Sequence, residues 1–236
     1  MPTATTPPTM STPPDSPDSQ AAGPWLQLMQ ARRTILPKRL AEPGPSHEQL
    51  VQILSAAASA PDHKQLLPWR FVVIPPAERA QLGEVFAGSL LQRDAAATAE
   101  QVADARDKAL RSPCLLVAIC DTGEAASDIP AVERLVSAGC AIQNLLLQAT
   151  ALGFGSGLTS GKAMTSGALR RLFSLSPTEV ALCFMSIGTP TRAASSRERP
   201  GVERYVTALA ANGRLEPLGD QQAMASRLPS DSKPAS

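Results

Sequence analysis

The chain lacks the residue patterns of most self-sufficient catalytic centres. Its 236 residues include only two histidines and four cysteines. Cys114, Cys120, Cys140 and Cys183 all sit in apolar runs, with no CxxC pair and no Cys/His spacing of a metal site. They read as buried, reduced thiols. There is no Gly-x-Ser-x-Gly elbow, P-loop, HExxH pair or couple of carboxylates in an apolar setting. The formal net charge is only +1, so a broad basic face for nucleic acid is not expected, and a local basic pocket stays open. No run is apolar and long enough to span a bilayer. Residues 1–23 are rich in Pro, Thr and Ser and carry neither the charged start nor the apolar middle of a secretory signal. These absences predict a cytoplasmic protein that binds no metal, nucleic acid or membrane.

The length suits one domain with a full core. Residues 1–23 have too little apolar surface to offset ordering entropy and read as a disordered extension. Residues 24–211 read as the domain, and 212–236 as a loose tail. Pro24 suits the first turn of a helix that ends near Arg33, before Pro37. Ser46 with Gln49 forms a capping box, and Leu50, Ile53, Leu54, Ala57 and Ala58 follow at helical spacing. Strands are expected over 69–74, 114–120 and 180–187. The segment between the first two is alanine-rich and helical, and its part from Arg93 to Arg111 reads as a solvated helix. Residues 130–152 form the longest apolar helix, with apolar side chains on more than one face. Such a helix lies in a domain centre or at a subunit interface. Gly153 supplies its C-terminal cap.

Two stretches carry more than structure. Residues 60–74 hold His63, Trp69 and Arg70 between helix and strand, with two prolines fixing the turn. Residues 154–161 are glycine-rich. Their Gly-x-Gly-x-Gly is not a dinucleotide fingerprint, because that motif follows a strand and opens a helix, and here a helix comes first. Glycines in this place let backbone N–H groups approach a flat ligand. Arginines near turns, one loop histidine and a glycine-rich backbone suit an anionic, flat, aromatic cofactor, which would carry the chemistry.

Arg32-Arg33-Thr34, Arg39-Leu40-Ala41-Glu42-Pro43, Ala60-Pro61-Asp62-His63-Lys64 and Pro68-Trp69-Arg70-Phe71 together resemble the bacterial nitroreductase family, in its short NAD(P)H nitroreductase subgroup. The likeness continues through Ser137-Ala138-Gly139-Cys140-Ala141, Gly153-Phe154-Gly155, Ser160-Gly161 and residues 182–190. The resemblance implies an α+β fold: a mixed, mostly antiparallel sheet flanked by helices, in an intertwined homodimer with FMN at the subunit interface. It implies that Arg32, Arg33 and Thr34 hold the phosphate and ribityl chain. It further implies that Ser59 and His63 reach the FMN of the other subunit, and that Leu158, Thr159 and Ser160 lie beside the ring. Thr34 stands where serine is usual, Ser59 where arginine is frequent, and Leu158-Thr159 where a Trp-Arg pair is usual.

The activity implied is ping-pong transfer of hydride from NADH or NADPH, through FMN, to a nitroaromatic, quinone or related acceptor. His63 or Arg70 would stand near the pyrimidine edge of the flavin, with Arg70 equally suited to a structural ion pair. Two other readings stay open at this point: an FMN-binding module with little turnover, and a specialised flavin oxidoreductase for which nitro reduction is incidental.

Overall fold

The computed structural model describes residues 22–124, 127–192, 198–210 and 213–217. The expected disordered extension therefore lies outside them except for Ala22 and Gly23, which open helix α1 (Ala22–Ala31). Most of the expected tail also lies outside.

A five-stranded sheet organises residues up to 194. Its strands are β1 (Leu40–Ala41), β2 (Trp69–Val73), β3 (Cys114–Asp121), β4 (Gly155–Thr159) and β5 (Glu179–Pro190). The path runs β1-β5-β3-β2, and β4 also pairs with β5. The long β5 thus carries β3 on one side, and β4 and then β1 end to end on the other. All these pairs are antiparallel, and one parallel bridge joins Thr34 to Ser156. Strand β3 is buried at every position but the last, because helices cover both sheet faces.

On one face, α2 (His47–Ser55) and α5 (Ala131–Ala151) pack through Ile53, Leu145 and Leu146 onto Trp69, Leu116 and Met185. The capping box that starts α2 is formed: Ser46 Oγ accepts from Gln49 N at 3.3 Å, and Gln49 Oε1 accepts from Ser46 N at 2.9 Å. On the other face lie α3 (Arg79–Arg93), α4 (Ala99–Asp107) and α6 (Gly167–Leu172). There Leu82 and Leu169 pack with Val117 and Phe184. The described residues from 198 onward belong to a separate unit, in which β6 (Thr207–Leu209) pairs with β7 (Leu215–Pro217). Residues 215–217, expected in a loose tail, are therefore a strand.

Helix α5 is buried on one side only. Ala138, Ala141, Leu145 and Ala149 are inside, whereas Val132, Leu135, Val136 and Gly139 are exposed. Positions 132, 136 and 139 share one helix face by their spacing. The sequence offered a domain centre or a subunit interface for this helix. Within one chain it has one buried side and one open apolar side.

Gly157 sets the geometry of the sheet edge. The segment after α1 runs across it, and Ile35 N donates to Ser156 O at 2.8 Å. A Cβ at Gly157 would stand 2.3 Å from Ile35 O. The close approach that glycine permits here is to the chain's own backbone, where the sequence reading placed a ligand. We expect Gly157→Ala to force this segment off β4, at a cost of about 1–3 kcal/mol. Thermal unfolding checks this, and an unchanged midpoint would contradict it.

Candidate functional site

The Ile35–Ser156 contact ties together two of the sequence-identified groups. Arg32 and Arg33 are half-buried at the end of α1, and Thr34 is exposed on the bridge to Ser156. Arg33 Nη1 donates to the carbonyls of Gln30 and Arg32. Two and three residues beyond Ser156 come Leu158 and Thr159, followed by Ser160. Successive side chains on a strand alternate between faces. Leu158 pairs with Met185, on the α5 face, and Thr159 pairs with Phe184, on the α3 face.

The α3 face opens there into a cavity of about 450 Å³, within the usual size of small-molecule sites. Phe86, Leu115, Met164 and Phe184 give it an apolar floor, and the Phe86 and Phe184 rings meet edge to face at 5.3 Å. Thr159, Ser160 and Gly161 form one wall, and Leu36, Pro37 and Lys38 another. A Cβ at Gly161 would meet nothing within 4 Å, so this wall is open. Lys38, Arg93, Lys108, Arg111 and Lys162 also line the cavity, and no carboxylate does. Asp104, outside it, pairs with both Lys108 and Arg111. The sequence reading passed over residues 93–111 as a solvated helix. The signal was there: Lys108 and Arg111, three apart at a helix end, share one side.

Of the candidate residues only Thr159 and Ser160 line this cavity; Arg32, Arg33, Thr34 and Leu158 do not, and it also excludes Ser59 and His63. Both are exposed, and His63 Nδ1 lies 2.6 Å from Glu133 Oε1 on α5. Glu133 sits directly beside the exposed Val132 and close to Val136. His63 leads into β2, at the sheet edge opposite β1 and β4. One chain therefore holds two separate groups of candidate residues. The turn before β2 has three residues with positive φ: Lys64 (57°), Gln65 (53°) and Leu67 (49°). For residues with a Cβ this is an uncommon and strained conformation.

Arg70 takes the structural alternative. Its Nε and Nη2 donate to the Glu179 carboxylate, and Nη2 also reaches Phe173 O at 3.1 Å. The Arg70 hydrogen bonds hold the Glu179 pKa below the usual carboxylate value. Folded Glu179 therefore binds its proton less readily than the unfolded chain does. Its stabilisation is full above the unfolded value of 4.5 and is lost as pH falls through the lower folded value. We expect the stability gap between the wild type and Glu179→Gln to narrow between about pH 6 and about pH 3.5. Urea midpoints at the two pH values measure it, and a constant gap would refute the pairing's contribution.

Three of the four thiols supply no hidden nucleophile; Cys140, on α5, is half-buried where burial was expected. Burial pushes Cys114, Cys120 and Cys183 up to about 11, which keeps them protonated at neutral pH. Among the described residues no cluster of His, Cys, Asp or Glu could hold a metal ion, and no helix is long and apolar enough to cross a membrane.

An antiparallel sheet with helices on both faces, and a cation-rimmed apolar cavity at the end of its glycine-rich strand, define an α+β protein built to hold a flat, negatively charged organic molecule. The family is equally plain. Residues 29–189 match the Nitroreductase family, a family of oxidoreductases, and the chain belongs to it. The Escherichia coli (strain K12) protein named "Putative NAD(P)H nitroreductase YdjA" is 34% identical over 184 residues, which are 77% of this chain and 97% of that protein. A Haemophilus influenzae protein named "Putative NAD(P)H nitroreductase" is 31% identical over 164 residues, 70% of this chain and 87% of its own. Among solved structures, a nitroreductase-like protein from Bacillus cereus superposes with a TM-score of 0.67 at 19% identity, over 84% of this chain and 97% of that one. A Desulfovibrio desulfuricans protein described as "a putative nitroreductase in complex with fmn" gives a TM-score of 0.58 at 25% identity, over 78% of this chain and 96% of that one. The α+β, mostly antiparallel fold read from the sequence is the fold found.

Proposed function

We propose that this chain is an FMN-dependent NAD(P)H oxidoreductase that works as a homodimer on nitroaromatic, quinone or related acceptors. The observation that carries the proposal is the division of its candidate residues. Thr159 and Ser160 line the cavity, Arg32–Thr34 run beside their strand through the Thr34–Ser156 bridge, and Ser59 and His63 lie elsewhere, beside an open apolar helix face. A second copy seated on α5 supplies the missing half.

FMN fits the residues present. The cavity is of suitable size, its floor is apolar and aromatic, and its rim is cationic with no carboxylate facing in. When bound, FMN supplies two-electron redox chemistry, which suits a ping-pong exchange of NAD(P)H and acceptor at one place. Arg32 and Arg33 meet the phosphate, whose charge of about −1.5 to −2 favours guanidinium donors. The Thr34 hydroxyl serves the ribityl chain. Thr159 and Ser160 border the ring, and Leu158 closes the opposite side of β4. Ser59 and His63 come from the partner. With Arg70 neutralised one to one by Glu179, Lys108 and Arg111, two cations that share the single carboxylate of Asp104, take the place near the pyrimidine edge, where a cation favours an electron-rich ring. No protein acid or base is required for hydride movement, in keeping with the lack of one in the sequence.

The test is the visible spectrum of the purified protein, before and after NADPH or NADH without oxygen. A yellow protein that bleaches is expected. Arg32→Ala combined with Arg33→Ala should weaken FMN binding at least about tenfold, the loss of one charge-assisted contact or more. A colourless protein that FMN does not restore would overturn the proposal. A yellow protein that neither nucleotide bleaches would favour a binding module.

A further inference from the structure

The cavity has more positive charge than a flavin ring can use. Five cations line it, namely Lys38, Arg93, Lys108, Arg111 and Lys162, in a chain whose net charge is only +1. Asp104 is shared by Lys108 and Arg111. Among the described residues, Lys38, Arg93 and Lys162 have no carboxylate partner. Arg93 Nε instead donates to Ser89 O at 3.1 Å, which holds the last side chain of α3 against its own helix at the cavity wall. Lys38, Arg93, Lys108 and Lys162 are exposed at the rim, and like charges gathered around one apolar space give it a positive potential that favours an anion. The phosphate of FMN is assigned above to Arg32 and Arg33. The ring contributes at most about one negative charge, when reduced. Lys38, Arg93 and Lys162 are left over.

We propose that the acceptor bound at this cavity is a flat aromatic carboxylate, with its ring stacked on the flavin and its carboxylate held by Arg93 and Lys162 at the rim. The inference rests on the FMN reading and adds the substrate class. Arg93 and Lys162 approach from different elements, the end of α3 and the turn after β4, so together they fix the orientation of the ring as well as attract the charge. For a nitro acceptor the step balances without another reagent. NAD(P)H gives up two electrons and a proton, solvent gives the second proton, and the nitro group becomes nitroso with release of water.

The probe pair is 4-nitrobenzoate and its neutral methyl ester, titrated into the FMN-loaded protein without NAD(P)H. The change in visible absorption of the bound flavin and the thermal midpoint are both followed. The acid is expected to bind at least about tenfold more tightly than the ester, with the difference shrinking as salt is raised. Arg93→Gln combined with Lys162→Gln should remove most of that preference, and Arg93→Lys with Lys162→Arg should restore it. The same ordering should appear in KM under turnover. Equal affinity for acid and ester, or a preference untouched by the double glutamine variant, would overturn the inference and leave the FMN reading standing. A protein that never takes up FMN would overturn both.

Discussion

Replacing Val136 with glutamate should convert the proposed flavin-containing dimer into a colourless monomer. Val136 is 61% exposed and Val132 is 67% exposed in the single chain, on the longest helix of the molecule. Leu135 and Gly139 extend the same side, and a Cβ at Gly139 would meet nothing within 4 Å. A glycine in the middle of a helix costs about 1 kcal/mol relative to alanine, and an open one that nothing in its own chain approaches permits a second helix to come close. Trp25, Leu26 and Met29 expose more apolar surface on α1, which packs against α5. Contiguous apolar surface of this kind marks an interaction site. A two-fold interface repeats each substitution, so Val136→Glu places two unpaired carboxylates in it. Because His63 sits next to this face through Glu133, losing the proposed dimer would take the Ser59 and His63 assigned to the partner away from each site as well. Sedimentation and flavin absorbance should therefore change together, while far-UV circular dichroism stays that of a folded chain. A variant that remains dimeric and yellow would show that α5 is not the interface. Gly139→Leu, which adds bulk without charge, separates steric blocking from simple charge repulsion.

Much of this arrangement is legible from residues alone, and the limits have physical causes. The capping box at Ser46, the Gly153 cap and the three long strands follow from local rules, because each depends on near neighbours in sequence. The roles of Arg70 and Gly157 do not. Glu179, the partner of Arg70, is 109 positions away, and the Ile35 backbone that Gly157 accommodates is brought there by the sheet. The cavity rim was missed for the same reason. Lys38, Arg93, Lys108 and Lys162 come from four separate segments, and each alone reads as a solvated charge. The resemblance to nitroreductases assigned Arg32–Thr34 and Leu158–Ser160 to one cofactor, and the Ile35–Ser156 hydrogen bond brings their two segments together. Leu158 and Thr159 sit next to each other in sequence and on opposite faces of the sheet, a consequence of strand alternation that a list of motif residues conceals.

The largest stability effect should come from Arg79, a residue that no motif marks. Its side chain enters the α3 face of the protein and is 5% exposed. Nε donates to Ile74 O at 3.2 Å, Nη2 to Pro113 O at 2.7 Å, and Nη1 to Ser112 O. One guanidinium thus ties the end of β2 to the start of β3. Burial pulls its pKa below the usual arginine value, although the group stays charged at neutral pH. Arg79→Met keeps much of the volume and removes every donor, leaving three carbonyls without their partner in a place water enters poorly. Each buried polar group left unpaired costs about 1–3 kcal/mol, so a loss on the order of 3 kcal/mol or more is expected. For a chain of this length that is a fall of about 6–12 °C in the unfolding midpoint. Arg79→Lys should recover only part of it, because one ammonium cannot span three carbonyls as a planar guanidinium does. The effect should also reach the site. Residues 112–113 connect Arg111, on the cavity rim, to Leu115, in its floor, and Pro113 is packed within 2.8 Å of where a Cβ on Gly188 would stand. FMN retention should accordingly fall in Arg79→Met well below its melting point. A midpoint within about 2 °C of the wild type, less than 1 kcal/mol on the same scale, would mean that water satisfies these carbonyls and that Arg79 is dispensable.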